Sequence, residues 1–241
     1  MAITQARRLL SFTTPLGEDV LLLRALQGQE GISTLFRFDL ELLAEDDIPF
    51  DKIVGQNVTI RLALAEDHER YINGFVSRFS QGRSDARFTY HHAEIVPWLW
   101  FLMRTTDCRI FQELGVPDIL KKIFQEYGFR DFREALTRTY TKRDYCVQYR
   151  ETDLNFVSRL MEEEGILYFF EHERSKHTLV FADASEAHKP CPAQPRARSA
   201  RLRHAAGSLH SFQILVHLVR LTVIARSPYR RAVCRDGRTA S

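Results

Sequence analysis

The 241-residue chain lacks any run of about 20 apolar residues, so the sequence predicts no membrane-spanning helix. Two arginines follow the first methionine without a long apolar stretch behind them, so we expect no secretory signal. The four cysteines, at positions 108, 146, 191 and 234, form no C-x-x-C pair, which excludes the zinc and redox motifs of that spacing. These spacings favour a reduced cytoplasmic protein, with a structural disulfide as the alternative.

Motifs for nucleotide binding and for hydrolytic nucleophiles are missing as well, including G-x-x-x-x-G-K-[ST], G-x-G-x-x-G, G-x-S-x-G and H-E-x-x-H. Cys108 and Cys146 adjoin segments typical of buried structure, so we interpret both as core thiols. On a strand, His92 and Glu94 share one side and His91 faces the other, which leaves too few convergent ligands for a usual metal site. The sequence therefore predicts no catalytic, cofactor-binding or metal-binding residue and no cofactor.

Acidic and aromatic residues nearly disappear after residue 190. Residues 1–190 carry 30 Asp and Glu against 24 Lys and Arg, whereas residues 191–241 carry ten arginines, no lysine and Asp236 alone. Aromatic residues fall from 25 in the first part to Phe212 and Tyr229 in the second. Because arginines bind phosphates without sequence preference, an Arg-tail nucleic-acid-binding protein is one alternative function.

Period-two alternation of apolar and polar residues dominates the first hundred residues and predicts strands at 19–26, 35–43, 58–64, 70–79 and 87–96. Turn-forming residues separate them at 14–19, 27–31, 44–51, 65–69 and 80–85. Strands at this spacing, with no long helix between them, indicate a closed or strongly curled antiparallel sheet.

Helical patterns follow. Residues 116–128 carry an apolar stripe at 3.6-residue spacing, with Pro117 in the first turn and Gly128 as the stop. A second helix is predicted between Thr152, as its N-cap, and Gly165, in the left-handed position after its end. Residues 166–173 and 177–183 then predict a hairpin. The aromatic segment 97–104 is interpreted as a hydrophobic seam between the two parts, in preference to a ligand platform.

Glu162, Glu163 and Glu164 are the strongest candidates for acid–base chemistry. A glycosidase-like enzyme needs two carboxylates on opposite sides of a bond, with their pKa values pushed apart. Three successive helical residues instead point about 100° apart, as 3.6 residues per turn requires. We favour a solvated helix face, and a small glycosidase-like enzyme using these glutamates remains an alternative.

Several stretches in order resemble the amino-terminal, tail-hub-like region of VgrG, the spike protein family of bacterial type VI secretion. The resemblance covers roughly residues 8–190 and rests on stretches that include SFTTPLGEDVLLLRALQGQEGISTLFRFDLELL, PWLWFLMRTTDCRIFQELGVPDILKKIF and YCVQYRETDLNFVSRLMEEEGILYFFEHE. It implies a structural protein rather than an enzyme: a cell-puncturing hub and spike that joins a tube to its tip.

The resemblance also implies partners and a location. Family members form homotrimers that crown hexamers of the tube protein, haemolysin-coregulated protein, and meet baseplate and effector proteins. No nucleic acid and no stable membrane anchor are expected. Assembly in the cytoplasm would be followed by secretion through the type VI apparatus into target cells.

The implied fold is mainly β, with an antiparallel β-barrel-like domain at 1–103 followed by a helix-containing domain at 104–190, as in phage tail-hub proteins. Residues 191–241 depart from the family pattern of a second barrel, and we expect this basic tail to be foreign to the family. The hypothesis is a truncated or frameshifted VgrG that cannot by itself form a working spike.

Overall fold

The computed structural model describes residues 4–6, 8–63 and 69–187, together with the backbone of residues 219–224. Within these residues lie twelve strands: β1 Leu10–Thr13, β2 Leu22–Gly31, β3 Thr34–Ala44, β4 Asn57–Ala63, β5 Glu69–Ser84, β6 Thr89–Val96, β7 Thr106–Phe111, β8 Phe132–Ala135, β9 Cys146–Thr152, β10 Leu167–His172, β11 His177–Ala182 and β12 Val219–Ile224. The helices described are α1 (Val116–Glu126), α2 (Asp153–Glu164) and short 3₁₀-helices at Phe50–Lys52, Trp98–Met103 and Ser185–Ala187. Neither α1 nor α2 has the length and apolarity needed to cross a bilayer.

Seven strands form one antiparallel sheet in the order β1-β4-β5-β6-β3-β2-β12. In β3 the alternation read from the sequence is realised, because Phe36, Phe38 and Leu40 are buried while Arg37 and Asp39 are exposed. The buried face joins apolar side chains of β1, β2 and β4 to β6 in a first hydrophobic core. The predicted curled antiparallel sheet, and a chain that is mainly β, are confirmed.

The curl brings β1, at one end of this sheet, toward the start of β2 at the buried side chain of Gln5. Its Nε2 donates to the carbonyl oxygens of Leu21 (3.1 Å) and Phe12 (3.4 Å). Its Oε1 accepts from the backbone N–H groups of Phe12 (3.0 Å) and Leu23 (3.1 Å). Since Phe12 belongs to β1 and Leu23 to β2, one carboxamide bridges the seam with backbone-like hydrogen bonds.

Two predicted turns are wrong. Residues 27–31 continue β2, because Gly28 pairs with Phe38 across the ladder and leaves room for its ring. A Cβ on Gly28 would lie 2.1 Å from Phe38 Cδ1, so this glycine is required by close approach rather than by a turn.

The second wrong turn lies at residues 80–85. Strand β5 runs on to Ser84, and the reversal falls later, where Asp85 Oδ1 accepts from the backbone N–H groups of Arg87 (2.9 Å) and Phe88 (2.8 Å). Pairing of Ser84 with Thr89 extends the hairpin beyond the core. Glycine and serine alone do not distinguish a turn from such an extension.

A second hydrophobic core begins with the 3₁₀-helix Trp98–Met103 and includes the buried stripes of α1 and α2. Around it lie a two-stranded antiparallel ribbon, β7 with β9, and a three-stranded sheet in which β11 pairs antiparallel with β10 and parallel with β8. Strands β1, β7, β8 and β9 were not predicted from the sequence, because they are short or carry weak alternation.

Both predicted helices and the predicted hairpin are confirmed. Thr152 Oγ1 accepts from the backbone N–H of Asn155 (3.2 Å) and caps α2. Gly165 closes the helix with φ 66°, ψ 30°, and its N–H bonds Glu162 O. The predicted hairpin is β10 with β11, with His172 paired to His177 beside the turn.

Candidate functional site

The glutamates at the end of α2 lie at the surface, and arginines bind two of them, Glu163 and Glu164. Arg143 reaches Glu163 Oε2 (2.8 Å) and Glu164 Oε1 (2.7 Å), and Arg159 reaches Glu163 Oε1 (3.0 Å). Glu162 and Glu163 are exposed and Glu164 is half-buried. The carboxylates therefore form a surface ion-pair network along one helix end.

The electrostatics of this network oppose a general-acid role. The hydrogen bond from Arg143 holds the pKa of Glu163 below its ordinary value, with a further contribution from Arg159. A glycosidase acid needs the opposite shift, toward a protonated carboxyl near neutral pH. The geometry supports the interpretation of a solvated helix face.

The histidines of β6 face opposite sides of the sheet, as predicted. His91 is buried and stacks on Phe79, with ring centroids 5.0 Å apart, and burial lowers its pKa. His92 is exposed and lines an open groove of about 320 Å³ on the outer face, where Glu94 is bound to Arg37 (2.8 Å). In the part of the chain that the structure describes, no three His, Cys, Asp or Glu side chains converge on a metal position.

The prediction of two core thiols is half right. Cys146 is buried against the helices, but Cys108 is exposed. In the two-stranded ribbon, Phe111 and Cys146 form a cross-strand pair on the covered side, whereas Cys108 opposes the exposed Tyr149. Only one face of this two-stranded ribbon packs against the helices, so alternate residues of its strands stay exposed. Cys191 and Cys234 lie outside the described residues.

The aromatic segment 97–104 forms the predicted seam. Trp98, Leu99 and Leu102 are buried in the second core, and Trp98 stacks on Phe129 with centroids 4.7 Å apart. Phe101 meets Phe75 of β5 edge to face at 5.4 Å. The 3₁₀-helix thus joins the large sheet to the helical part.

A polar cluster that the sequence analysis did not identify lies at the same junction, around the fully buried Asn73 of β5. Its Nδ2 donates to Thr59 Oγ1 (2.9 Å) and Asn57 Oδ1 (2.7 Å). Thr59 in turn donates to the carbonyl of Arg174 (2.8 Å), in the turn of the β10–β11 hairpin. Polar groups of the large sheet therefore hold the hairpin directly.

Two histidines of the hairpin complete this cluster. The backbone N–H of Trp98 donates to His177 Nε2 (2.9 Å), so that nitrogen is an acceptor and the proton sits on Nδ1. His177 Nδ1 then donates to Asn73 Oδ1 (2.9 Å). On the other ring, His172 Nδ1 lies 3.2 Å from both the backbone nitrogen and the carbonyl oxygen of Asn73, and it accepts from the N–H when it carries no proton. The two bonds of His177 require a neutral imidazole, and so does the bond that His172 Nδ1 accepts from the Asn73 N–H.

The surroundings keep both rings neutral. Burial lowers the pKa of His172 to about 4, against an opposing effect of Glu30, whose Oε2 lies 3.8 Å from His172 Nε2 and which is bound to Arg70. Burial also lowers the pKa of His177 to about 3, with a smaller contribution from His172. We name the set Asn73, His172 and His177 the junction cluster.

Sequence alone offered one weak sign of the junction cluster. Asn73 interrupts an otherwise apolar-alternating strand between Ile72 and Gly74, and all three are buried. A strand buried on consecutive residues is covered on both faces. Which histidines cover it depends on long-range packing across about 100 positions.

Comparison with known proteins decides the family. The family described as phage tail baseplate hub (GPD) matches residues 29–227. The chain belongs to this hub family. Its matched range starts in β2 and includes β12, beyond the change in composition at residue 190.

Relatives of this hub chain include spike proteins of type VI secretion. It is 46% identical over 193 residues to the spike protein VgrG1b of Pseudomonas aeruginosa, covering 80% of the chain and 26% of that protein. It is 47% identical over 189 residues to VgrG1c of the same organism, covering 78% and 26%. The hub chain thus spans about a quarter of the length of these relatives.

A solved structure agrees. The Escherichia coli c3393 protein, a component of the type VI secretion system with structural similarity to the T4 tail proteins gp27 and gp5, superposes with a TM-score of 0.66 at 26% identity. The match covers 75% of the hub chain and 50% of c3393. The resemblance to the tail-hub-like region of VgrG is confirmed.

The outer face of the ribbon is apolar in this hub chain. Ile110, Tyr145 and Tyr149 are each more than half exposed, beside the exposed Cys108. The opposite face of the same strands packs on α1 and α2 through Phe111 and other buried residues. Water therefore covers an apolar, tyrosine-bearing surface on the isolated chain.

Proposed function

We propose that the chain supplies the amino-terminal hub of a type VI secretion spike, in which three copies join a tube of hexamers to the puncturing tip. The observation that carries this proposal is the match of residues 29–227 to the hub family in a chain whose curled antiparallel sheet precedes a helical unit. Tube, baseplate and effector proteins are the proposed partners, without nucleic acid. Secretion into target cells is the proposed route.

The domain boundaries belong to this proposal. Residues 1–103 would form the barrel-like hub domain and 104–190 the helix-containing domain, with 191–241 as an atypical tail. Two separate hydrophobic cores support a boundary in this region, because the first contains residues up to Ile95 and the second begins at Trp98.

A non-enzymatic role is also part of the proposal. It is supported by the pairing of Glu163 with Arg143 and Arg159, which favours a charged carboxylate at the surface. The whole spike's action would be mechanical, and the contribution of this chain would be the shape and strength of the hub.

A hub exchange tests the proposal. In VgrG1b, the matched region is replaced by residues 8–187 of this chain, and assembly is measured by the size of the purified spike and by tube protein released into the medium. We expect a trimeric chimera and restored release, since 46% identity preserves the core pattern. A folded chimera that neither trimerises nor supports release would contradict the proposal.

Two variants of the chimera sharpen this test. Glu163→Gln removes one carboxylate charge at the surface and should leave release unchanged. Gly74→Leu should abolish assembly, because even a Cβ added there would lie 2.6 Å from Ile95 Cγ2 and 2.9 Å from Val96 O. Loss of target-cell killing with Glu163→Gln, at full assembly and release, would favour the glycosidase-like alternative.

A further inference from the structure

The junction cluster fastens two separately packed parts of the chain through bonds that require a neutral His177 and, at the Asn73 N–H, a neutral His172. Asn73 belongs to the large sheet, whereas His172 and His177 belong to the hairpin of the second unit. The Trp98 amide, at the start of the seam, depends on His177 for its acceptor. All these atoms are removed from water.

Protonation would break specific bonds. A proton from solvent that binds His177 Nε2 gives that nitrogen an N–H, which then opposes the N–H of Trp98. A proton that binds His172 Nδ1 removes the acceptor of the Asn73 N–H, although the Asn73 carbonyl, 3.2 Å from the same nitrogen, can accept that proton. Each event also places a positive charge in an apolar setting formed by the rings of Phe36 and Phe170.

Charged groups near the rings are few and do not cancel this effect. Glu30 of β2 faces His172 Nε2 at 3.8 Å but is already bound to Arg70 of β5. From β3 and the 3₁₀-helix, the rings meet Phe36 and the Trp98 backbone. Each histidine is also the other's neighbour, with ring centroids 6.1 Å apart, so two charges would repel.

We propose that the junction cluster is an acid-released latch, which holds the β10–β11 hairpin on the large sheet while both histidines are neutral and frees it when they are protonated. The latch is a property of this chain alone and does not depend on the proposed function.

The direction of the pH dependence follows from the difference in histidine pKa between the closed and the opened state of the latch. An imidazole in water titrates near 6.5, whereas burial lowers the pKa to about 4 for His172 and to about 3 for His177. The opened state therefore binds more protons as pH falls below about 6.5, and the latch weakens from there toward pH 4. Above about pH 7.5 both states are neutral, and the latch is at full strength.

Amide hydrogen exchange on the full chain tests the latch. Corrected for intrinsic rates, the opening ratio reported by the N–H groups of Asn73 and Trp98 should rise between pH 7.5 and 5.0. The rise is about thirtyfold if one histidine is protonated on opening, and about a thousandfold if both are. The N–H of Ile60, in the first core, is the internal comparison and should change much less.

Variants separate the latch from general acid sensitivity. His172→Gln with His177→Gln keeps polar donors and acceptors without a titrating group, and should flatten the pH response of both reporter amides. His92→Gln, at an exposed histidine of the large sheet that contains Asn73, should retain the full pH response. The proposal is overturned if the double variant keeps the response, if no response occurs, or if Ile60 rises in parallel.

Discussion

At the scale of single residues, Gln5 replaces a stretch of backbone ladder. Strands β1 and β2 approach at the seam of the curled sheet, and one buried carboxamide uses both of its donors and both of its acceptor positions there. Buried backbone groups without partners are costly, so the seam depends on this side chain. The sequence did not indicate this role, because Gln5 stands outside any alternating segment.

The first prediction concerns this seam. Gln5→Leu keeps the approximate volume but leaves the N–H groups of Phe12 and Leu23 without an acceptor. We expect the free energy of unfolding to fall by about 2–4 kcal/mol, from two unsatisfied buried donors. Urea denaturation followed by circular dichroism measures it.

The matched control is Gln27→Leu, at an exposed position of β2. It should change the stability by less than about 0.5 kcal/mol, as surface substitutions usually do. An equal loss of unfolding free energy in the two variants would show that the seam does not rely on Gln5.

At the scale of elements, local sequence signals were sufficient to predict helix α2 and both of its ends. Thr152 is the N-cap, the apolar stripe is buried and Gly165 ends the helix, as predicted. These features were predictable because caps and helical periodicity depend on neighbours a few residues away. The same reasoning failed at Gly28, which leaves room for the ring of Phe38, ten residues further along the chain. A glycine needed for close approach and a glycine needed for a turn look alike in sequence.

The second prediction separates the two caps of α2. Thr152→Ala should cost about 1 kcal/mol through the lost bond to Asn155 N–H. Gly165→Ala should cost about 1–2 kcal/mol from its positive φ alone, since a Cβ there meets Arg138 Nη2 at an ordinary 3.7 Å. Thermal unfolding of both variants provides the measurement.

Ser158→Ala, in the middle of α2, is the control for helix propensity and should be neutral or slightly stabilising. If the cap variants behave like Ser158→Ala, the helix ends contribute nothing to the stability of the chain.

At the scale of the whole molecule, the edge of the large sheet is set by a distant segment. The backbone of β12 pairs antiparallel with β2, from Val219 opposite Glu30 to Ile224 opposite Ala25. In an antiparallel sheet, successive residues of β2 direct their amides alternately to its two neighbours. Amides of β2 therefore divide into a set bound to β3 and a set bound to β12.

The third prediction uses this division. In a chain ending at residue 187, the β2 amides directed to β12 should lose their protection from hydrogen exchange, while the alternate ones, bound to β3, keep it. An uncovered edge should also promote association at high concentration. Unchanged protection of both sets would mean that β12 does not hold the edge in solution.

The sequence by itself determined the alternating strands, both helices with their caps, the hydrophobic seam at 97–104 and the family. Each of these rests on short-range periodicity, on single special residues, or on several stretches that resemble the family in the same order along the chain. Only the tertiary structure decided that Gln5 bridges β1 and β2, that Cys108 is exposed, and that His172 and His177 meet Asn73. The physical reason is distance along the chain: these contacts join residues whose local patterns are satisfied equally well by other partners. The contacts of His172 and His177 with Asn73 form only where the two packed cores meet.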